Sequence, residues 1–378
     1  MADSRPASKP RILVMVKGLG LGGMERLLSE SIPYLSTDRF EYEVAYFTPW
    51  KDDVVPVFVD AGLAVHCLEI ANDVSVTALG KVRSLIRTGR YEIVHTHSPM
   101  PSVFARVGSP RTTIVHTEHS LPASRNRLTR FANRVTYPFC DAVISVSRVV
   151  DREVNRGWPK PRISTVIHGG IDERAVAGVQ AADVLAIRAG LEIPPEATIV
   201  GNVAHLRKQK GHEVWLETAR DVVAELPETF FIVVGREKEA GYQEELERRA
   251  STLGIADNVR FVGFQPDPYP YLASFDVFLM TSEFEGFPIS LVEAMAMGRP
   301  VVATDVGGVT EALGPDRAGL TAPAGDHRSL AAHVIALLGD EKARLQLGTR
   351  AKNRVSTEFT IEHMVERVED LYDELLAD

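Results

Sequence analysis

Short apolar runs alternate with amphipathic stretches along almost the whole chain. The first part holds seven runs that are typical of buried β-strands: "RILVMV", "EYEVAYF", "AVHCLEI", "YEIVHTHS", "TTIVHTEH", "DAVISVS" and "ISTVIHG". Five more follow in the second part: "TIVGNVAHL", "FFIVVG", "VRFVGF", "DVFLMTS" and "RPVVATD". Strands that alternate with helical patterns predict parallel sheets covered by helices on both faces. The predicted fold class is therefore α/β.

The two series of strands predict two Rossmann-like domains. At 378 residues the chain exceeds the usual size of a single core. We place the boundary near Asp172, with residues 1–172 as the first domain, 173–359 as the second, and the Ala-rich segment 175–197 as a hinge region. Ligands of open parallel sheets bind outside the carboxyl ends of the strands, so two such domains facing each other predict a cleft.

Composition excludes a membrane-spanning protein and indicates a reducing compartment. The chain is 45% hydrophobic and 25% charged, and it contains no run of eighteen apolar residues. The polar start "MADSRPASKP" has no apolar stretch of the kind found in secretion signals. We expect Cys67 and Cys140, which stand beside apolar runs, to be buried free thiols. These features predict a cytoplasmic protein. A peripheral position at the inner face of the membrane is compatible with that prediction.

Charge is distributed unevenly along the chain. Residues 1–170 contain 22 basic and 16 acidic side chains, whereas the remainder contains 20 basic and 35 acidic ones. Within "SRNRLTRFANRVTYPF", helical spacing places four apolar residues on one face and four arginines on the rest: Leu128, Phe131, Ala132 and Val135, and Arg125, Arg127, Arg130 and Arg134. We expect the apolar face to join the core. Arg127 and Arg130 would then present a positive surface to an anionic acceptor or anionic lipids, unless the helix is an ordinary solvated one.

A glycine-rich turn follows the first predicted strand. Gly18, Gly20 and Gly23 have the spacing G-x-G-x-x-G directly before a helical pattern, where backbone amides can bind phosphate. A dinucleotide site also needs an acidic residue at the end of the second strand. That strand end, "YFTPW", carries none. The turn therefore predicts a phosphate site of another kind, with a tight turn that binds no ligand as the alternative.

The stretch "EGFPISLVEAMAMGRPVVATDVGG" combines a turn, a helix opened by Pro288 and a further strand. Glu285 and Glu293 stand eight positions apart around the start of that helix, whose free amides suit a diphosphate. Carboxylates repel phosphate, so we expect each to accept hydrogen bonds from vicinal hydroxyls, one set on a sugar and the other on a ribose. The alternative is that they are helix-start acids that satisfy the dipole.

This stretch resembles the E-x7-E signature of the retaining glycosyltransferases of family 4. The resemblance extends through "GLGGMERLL", "VHTHS", "VISVS", "VIHGGID" and "RKQKGHEVWLETA" to "FTIEHMVERVEDLY". It implies the GT-B fold, in which two Rossmann-like domains face a central cleft and the C-terminal helix, here within 360–378, returns to the first domain.

The function implied by the resemblance is transfer of a sugar from a nucleoside diphosphate sugar to an acceptor hydroxyl with retention at the anomeric carbon. The product would be a polysaccharide, glycolipid or other glycoconjugate, and the acceptor an unidentified compound for which an anionic or lipid-linked one is a candidate. The alternatives are a nucleotide-sugar epimerase or a phosphorylase on the same fold, and a saccharide-binding protein without enzymatic activity. Nucleic acid is not an expected partner.

The resemblance also implies individual roles. Gly22 and Gly23 would approach the donor phosphate, Glu293 would hold the ribose, and Glu285 would face the transferred sugar. The backbone around Gly286, Phe287 and Pro288 would hold sugar hydroxyls and phosphate. His119 matches a histidine near the transferred sugar, and His97 is an acceptor-side candidate together with Arg127 and Arg130.

The run "VAHLRKQKG" supplies cations to the same diphosphate. His205 occupies the position where the family usually has arginine, so we assign the charge to Arg207 and Lys210, which can neutralise a leaving diphosphate in place of a metal. The chain has no Asp-x-Asp triplet, and we expect neither metal nor cofactor. The predicted catalytic residues are therefore Glu285, His119, Arg207 and Lys210.

Four histidines cluster at the ends of two predicted strands: His95, His97, His116 and His119. No cysteine or helical His pair completes a zinc set, so a metal site is disfavoured. A further departure is Gly169 in "VIHGGID", where the family commonly has Asn. Gly169 lies near the expected donor cleft, and we expect it to alter how the donor fits.

Overall fold

A computed structural model describes residues 9–70, 75–109, 111–121, 126–156 and 159–377. The chain divides into two compact units. Unit 1 comprises the residues up to Gly170 together with those from Ile361 onward, and unit 2 comprises Ile171–Thr360. The division lies within two residues of the boundary expected near Asp172.

Unit 1 is built on a parallel seven-stranded sheet with the order β3-β2-β1-β4-β5-β6-β7. Its strands are β1 (Arg11–Val16), β2 (Glu41–Tyr46), β3 (Ala64–Cys67), β4 (Ile93–Thr96), β5 (Thr113–Glu118), β6 (Ala142–Ser145) and β7 (Ile163–Val166). The connecting helices are α1 (Gly23–Ser31), α2 (Val55–Asp60), α3 (Val76–Gly89), α4 (Pro99–Gly108), α5 (Arg127–Thr136) and α6 (Arg148–Asn155).

Unit 2 is built on a parallel six-stranded sheet with the order β10-β9-β8-β11-β12-β13. Its strands are β8 (Ile199–Val203), β9 (Phe230–Val234), β10 (Val259–Phe261), β11 (Val277–Met280), β12 (Val301–Thr304) and β13 (Leu320–Ala322). Its helices are α7 (Glu173–Gly178), α8 (Ala181–Gly190), α9 (His212–Glu225), α10 (Tyr242–Thr252), α11 (Tyr269–Ser274), α12 (Ile289–Ala296), α13 (Val309–Leu313), α14 (His327–Gly339) and α15 (Glu341–Glu358).

The last helix, α16 (Ile361–Ala377), packs on the sheet of unit 1, as predicted for the C-terminal helix. Leu371, Tyr372 and Leu375 join the core formed by the strands of that sheet. The buried carboxylate of Glu369 accepts a hydrogen bond from Tyr42 Oη at 2.7 Å. Apolar packing and this buried hydrogen bond together fix the helix on unit 1.

Each sheet reverses its strand order once, between β1 and β4 in unit 1 and between β8 and β11 in unit 2. Ligands of doubly wound sheets bind at such a reversal, outside the carboxyl ends of the strands. The glycine-rich turn follows β1 and His97 follows β4, whereas Lys210 follows β8 and Glu285 follows β11. The topology therefore brings the predicted motifs to the binding position of each sheet.

Helix α5 presents its predicted core face to solvent. Leu128, Phe131 and Val135 are 76%, 65% and 42% exposed, while Asn133 and Thr136 are buried. The expectation that this apolar face joins the core is therefore wrong.

The physical reason for the reversed helix is a buried arginine on α4. Arg106 is 1% exposed, and its Nη1 donates to Asn133 Oδ1 at 2.8 Å and to Thr136 Oγ1 at 3.2 Å. A buried guanidinium needs polar partners, because a buried charge without them is strongly unfavourable. The polar face of α5 supplies those partners and leaves the apolar face outside.

One other expectation is wrong, and three elements were not predicted. Cys140 is buried, but Cys67, at the end of the edge strand β3, is exposed. Helices α7 and α8 lie in and beside the segment expected as a hinge region. Strand β13 was not predicted, because "LTA" between Gly319 and Pro323 is not an apolar run.

Candidate active site

The charged centre of unit 2 joins Lys210 to Glu285. Lys210 Nζ donates to Glu285 Oε1 at 2.7 Å, and Ser282 Oγ donates to the same oxygen at 2.6 Å. Glu285 is only 7% exposed. Two donors on Oε1 orient the carboxylate, and no donor from the described residues is directed at Oε2. That oxygen is therefore available to a ligand hydroxyl.

Hydrogen bonds between loops hold this carboxylate in place. Thr304 Oγ1, at the end of β12, donates to the carbonyl of Ser282 at 2.6 Å. Gln209 Nε2, after β8, donates to the carbonyl of Phe284 at 3.0 Å. The loops after β8, β11 and β12 thus support one another. Sequence reasoning missed Gln209, Ser282 and Thr304, and the only signal for them was the position of polar residues at strand ends.

Two glycines of unit 2 are required by the backbone around the charged centre. Gly211 has φ +66°, and a Cβ there would lie 2.1 Å from the carbonyl oxygen of Thr281. Gly307 has φ +53°, and a Cβ there would lie 1.8 Å from the carbonyl oxygen of Glu285. Side chains at either position would displace the loops that carry Lys210 and Glu285. The glycine pair at the end of the "ATDVGG" stretch therefore has a structural role.

Helix α12 begins directly after Pro288, as the sequence predicted, and no described side chain caps it. Its first amides consequently point toward the loop that carries Glu285 and Gly286. Glu293 lies inside the helix and is 4% exposed. The Phe287 ring packs against Phe359 with 5.3 Å between ring centroids. Residues 285–288 thus lie in the loop after β11 and Glu293 within α12, while Arg207 and Lys210 lie in the loop after β8.

Positive charge beside this loop comes from Arg207 and Lys210 and not from His205. Burial, together with the nearby cations Lys238, Arg207 and Lys210, lowers the pKa of His205 to about 4. His205 is therefore neutral near pH 7, and its carbonyl oxygen hydrogen-bonds to His212 Nε2 at 3.1 Å. Arg207 is exposed, so its guanidinium is accessible to a ligand.

Gly23, in the glycine-rich turn of unit 1, has free space around its Cα, whereas Gly211 and Gly307 of unit 2 are crowded by backbone carbonyls. Gly22 caps α1 and Gly23 is its first residue. A Cβ on Gly23 would meet nothing within 4 Å, and one on Gly22 would meet only the flexible side chain of Glu25. A backbone hydrogen bond of 2.7 Å from Leu19 N to the carbonyl oxygen of Lys51 anchors the turn. Packing within unit 1 thus leaves space beside Gly23, whereas a side chain at Gly22 would require Glu25 to move.

The four clustered histidines of unit 1 lie either within the sheet or at the carboxyl ends of its strands. His116 Nδ1 hydrogen-bonds to the carbonyl of Thr96 at 3.0 Å within the sheet. His97 Nδ1 and His119 Nε2 share a hydrogen bond of 3.0 Å at the carboxyl ends of β4 and β5. Within the described parts of the chain, no group of three His, Cys, Asp or Glu side chains is arranged to hold a metal ion.

Burial disfavours the charged forms of His95 and His97. Burial and the neighbouring histidines together lower the pKa of His95 to about 3 and that of His97 well below its usual value. The His95 and His97 rings lie 4.2 Å apart between centroids. His97 therefore offers a neutral hydrogen-bonding group at this edge of unit 1, in contrast to the ion pair of unit 2.

Comparison with known proteins identifies the family. Residues 183–354 match the family described as Glycosyl transferases group 1, and residues 21–175 match Glycosyltransferase Family 4. A D-inositol 3-phosphate glycosyltransferase of Corynebacterium urealyticum is 30% identical over 302 residues, which cover 73% of this chain and 70% of that relative. The chain belongs to glycosyltransferase family 4. This assignment does not favour the epimerase, phosphorylase or non-enzymatic alternatives.

Other similarities of this glycosyltransferase extend over nearly its whole length. A protein of Escherichia coli named UDP-Gal:alpha-D-GlcNAc-diphosphoundecaprenol alpha-1,3-galactosyltransferase is 22% identical and covers 94% of this chain and 95% of that relative. The crystal structure of Anabaena HepE in complex with UDP and glucose matches with a TM-score of 0.86 at 21% identity, covering 97% of this chain and 100% of that one. The fold of this glycosyltransferase is GT-B.

Proposed function

We propose that unit 2 binds a nucleoside diphosphate sugar and that the enzyme transfers the sugar with retention at the anomeric carbon. The observation that carries the proposal is the Lys210–Glu285 contact of 2.7 Å beside the start of α12. Glu285 Oε2 would accept a hydroxyl of the transferred sugar, and Glu293 a hydroxyl of the ribose. Lys210 and Arg207 would neutralise the diphosphate.

The proposed chemistry needs no protein nucleophile. The bond from the anomeric carbon to the diphosphate oxygen breaks, and a bond to the acceptor oxygen forms on the same face of the sugar. The acceptor proton passes to the leaving phosphate oxygen. Lys210, Arg207 and the amides of α12 stabilise the negative charge that develops there. As the resemblance implies, His119 would hydrogen-bond to a sugar hydroxyl, and Gly22 and Gly23 would approach the phosphate.

We propose a uridine diphosphate sugar as the donor, because HepE was crystallised with UDP and the name of the Escherichia coli relative specifies UDP-Gal. Ligands that bind only the folded state raise its stability by about 2.7 kcal/mol at 100 times Kd. UDP should therefore raise the melting temperature more than GDP or ADP at equal concentration. The Glu293→Gln variant should lose most of this rise, while Glu283→Gln, an exposed neighbour of the site, should keep it. A larger rise with GDP or ADP would refute the choice of base.

We also propose that α5 contacts an anionic membrane that presents the acceptor. Leu128, Phe131 and Val135 are exposed, and Arg127 and Arg130 are exposed beside them. Interfacial helices bury such an apolar face among lipid headgroups and place basic residues at the phosphates. In the regions that the structure covers, no helix has the length and apolarity to cross a bilayer. Arg125 lies outside the described residues.

Vesicle flotation tests this contact. The enzyme should bind vesicles that contain anionic lipid, and not neutral vesicles, and added salt should weaken the binding. Arg127→Glu combined with Arg130→Glu should abolish it, as should Phe131→Ser. Arg328→Glu with Lys342→Glu makes the same change of charge at exposed positions of α14 and α15 and should have little effect. Equal flotation of both double variants would refute a contact through α5.

A further inference from the structure

Unit 1 contains a cavity of about 90 Å³ that the donor chemistry leaves unused. Helix α1 contributes Leu27 and Leu28 to its wall, and α16 contributes Met364, Val365 and Val368. The ends of the strands close the other side with apolar residues such as Val146. Every lining residue belongs to unit 1, and most of the wall is apolar.

One end of the cavity is polar. His97, Thr117 and His119 line it there, at the carboxyl ends of β4 and β5. The one carboxylate in the wall, that of Glu369, already accepts hydrogen bonds from Tyr42 Oη at 2.7 Å and from Ser36 N at 2.9 Å. The cavity therefore offers hydrogen bonds at its polar end and an apolar wall elsewhere, which selects a largely apolar ligand with a polar group at one end.

Gly169 lines the cavity after β7, at the position where members of the family commonly have Asn. Apolar cavities of about 150 Å³ are known to bind benzene, so a smaller one suits a group of about four carbon atoms.

We propose that this cavity binds an apolar substituent of the acceptor, a short alkyl group next to the reacting hydroxyl. The hydroxyl lies at the polar end beside His97 and His119, and the alkyl group extends between α1 and α16. Anionic or lipid-linked parts of the acceptor stay outside the cavity. The assignment of this ligand to the acceptor rests on the proposed function, because that function is what places the transferred sugar near His119.

Binding of 1-butanol, measured by saturation-transfer NMR on the whole enzyme, tests the cavity. The matched ligand is 1,4-butanediol, which has the same length but a second polar end, and its signal should be at least fivefold weaker. Val365→Phe fills the cavity from α16 and should reduce the butanol signal at least fivefold. Leu376→Phe adds a ring on the same helix outside the cavity and should leave the signal unchanged.

Circular dichroism establishes that each variant folds, and Val368→Phe, which enlarges another lining residue on α16, replaces Val365→Phe if that variant does not. Equal butanol signals in the wild type and in the folded filling variant would overturn the proposal, as would equal signals for the two alcohols. The rise in melting temperature with UDP is measured on the same samples. Its absence would contradict the proposed donor and leave the result on the cavity standing.

Discussion

In unit 2 the loops at the strand reversal carry an ion pair and a further cation, whereas in unit 1 the loops at the equivalent reversal carry two hydrogen-bonded histidines and a glycine turn. Both sheets are parallel and doubly wound, so the backbone determines the same binding position in each. The side chains then decide the ligand. Charged groups suit a diphosphate, and neutral donors and acceptors suit a hydroxyl. The comparison teaches that topology specifies where a ligand binds and that local residues specify its chemistry.

The largest expected effect is on turnover, through the charged centre of unit 2. Lys210→Ala and Glu285→Gln should each lower kcat about 100-fold or more, because each removes a charged contact to the reacting donor and tenfold in rate corresponds to about 1.4 kcal/mol. Steady-state kinetics at saturating donor measures this. Lys208→Ala and Glu283→Gln alter exposed neighbours and should change kcat less than threefold. Near-normal turnover of Lys210→Ala or of Glu285→Gln would show that the substituted residue is not part of the charged centre.

Replacing glycine by alanine should affect stability differently in the Gly307 loop of unit 2 and in the Gly23 turn of unit 1. Gly307→Ala should lower the free energy of unfolding by about 2 kcal/mol, because its φ of +53° and its contact with the Glu285 carbonyl exclude a Cβ. Gly23→Ala should leave that free energy unchanged within about 0.5 kcal/mol but raise the donor KM about tenfold, because the added methyl occupies space left for phosphate. Urea unfolding and donor titration measure both. Equal destabilisation by the two variants would contradict the contrast.

Acid should destabilise unit 1 through His95. Its folded pKa of about 3 lies below the unfolded value of about 6.5, so its contribution to stability is complete above pH 6.5 and is lost as the pH falls toward 3. By pH 5 the loss should be about 2 kcal/mol. Urea unfolding of the wild type and of His95→Gln at pH 7 and pH 5 measures it, with His333→Gln on α14 as the control. An acid loss that is the same in all three proteins would exclude His95 as its source.

The smallest expected effect is that of chelation. We propose that Arg207 and Lys210 stabilise the leaving diphosphate without a metal ion, so excess EDTA should change initial rates less than twofold. The rate of UDP release measures this. Loss of activity that magnesium or manganese restores would show that unit 2 needs a cation beyond its own side chains.

The α/β fold, its two units and the positions of twelve strands could be predicted from the sequence, because each depends on a local pattern. Buried strands of parallel sheets read as short apolar runs, and β13 was missed because "LTA", between Gly319 and Pro323, contains no such run. The loop after each strand can then be located, which is why Lys210 and Glu285 could be proposed. Membership of the family rests on the same spaced motifs and on their order.

Only the tertiary structure decided which groups meet. Lys210 and Glu285 are 75 residues apart in sequence, and their pairing depends on β8 and β11 being neighbours in the sheet. The outward apolar face of α5 depends on Arg106, 27 residues away from its partner Asn133, because the cost of burying a charge outweighs the gain from burying that face. The cavity beside Gly169 likewise arises where α1 and α16 pack against the strand ends. Contacts between distant residues follow from the packing of whole elements, and a local hydrophobic pattern does not predict them.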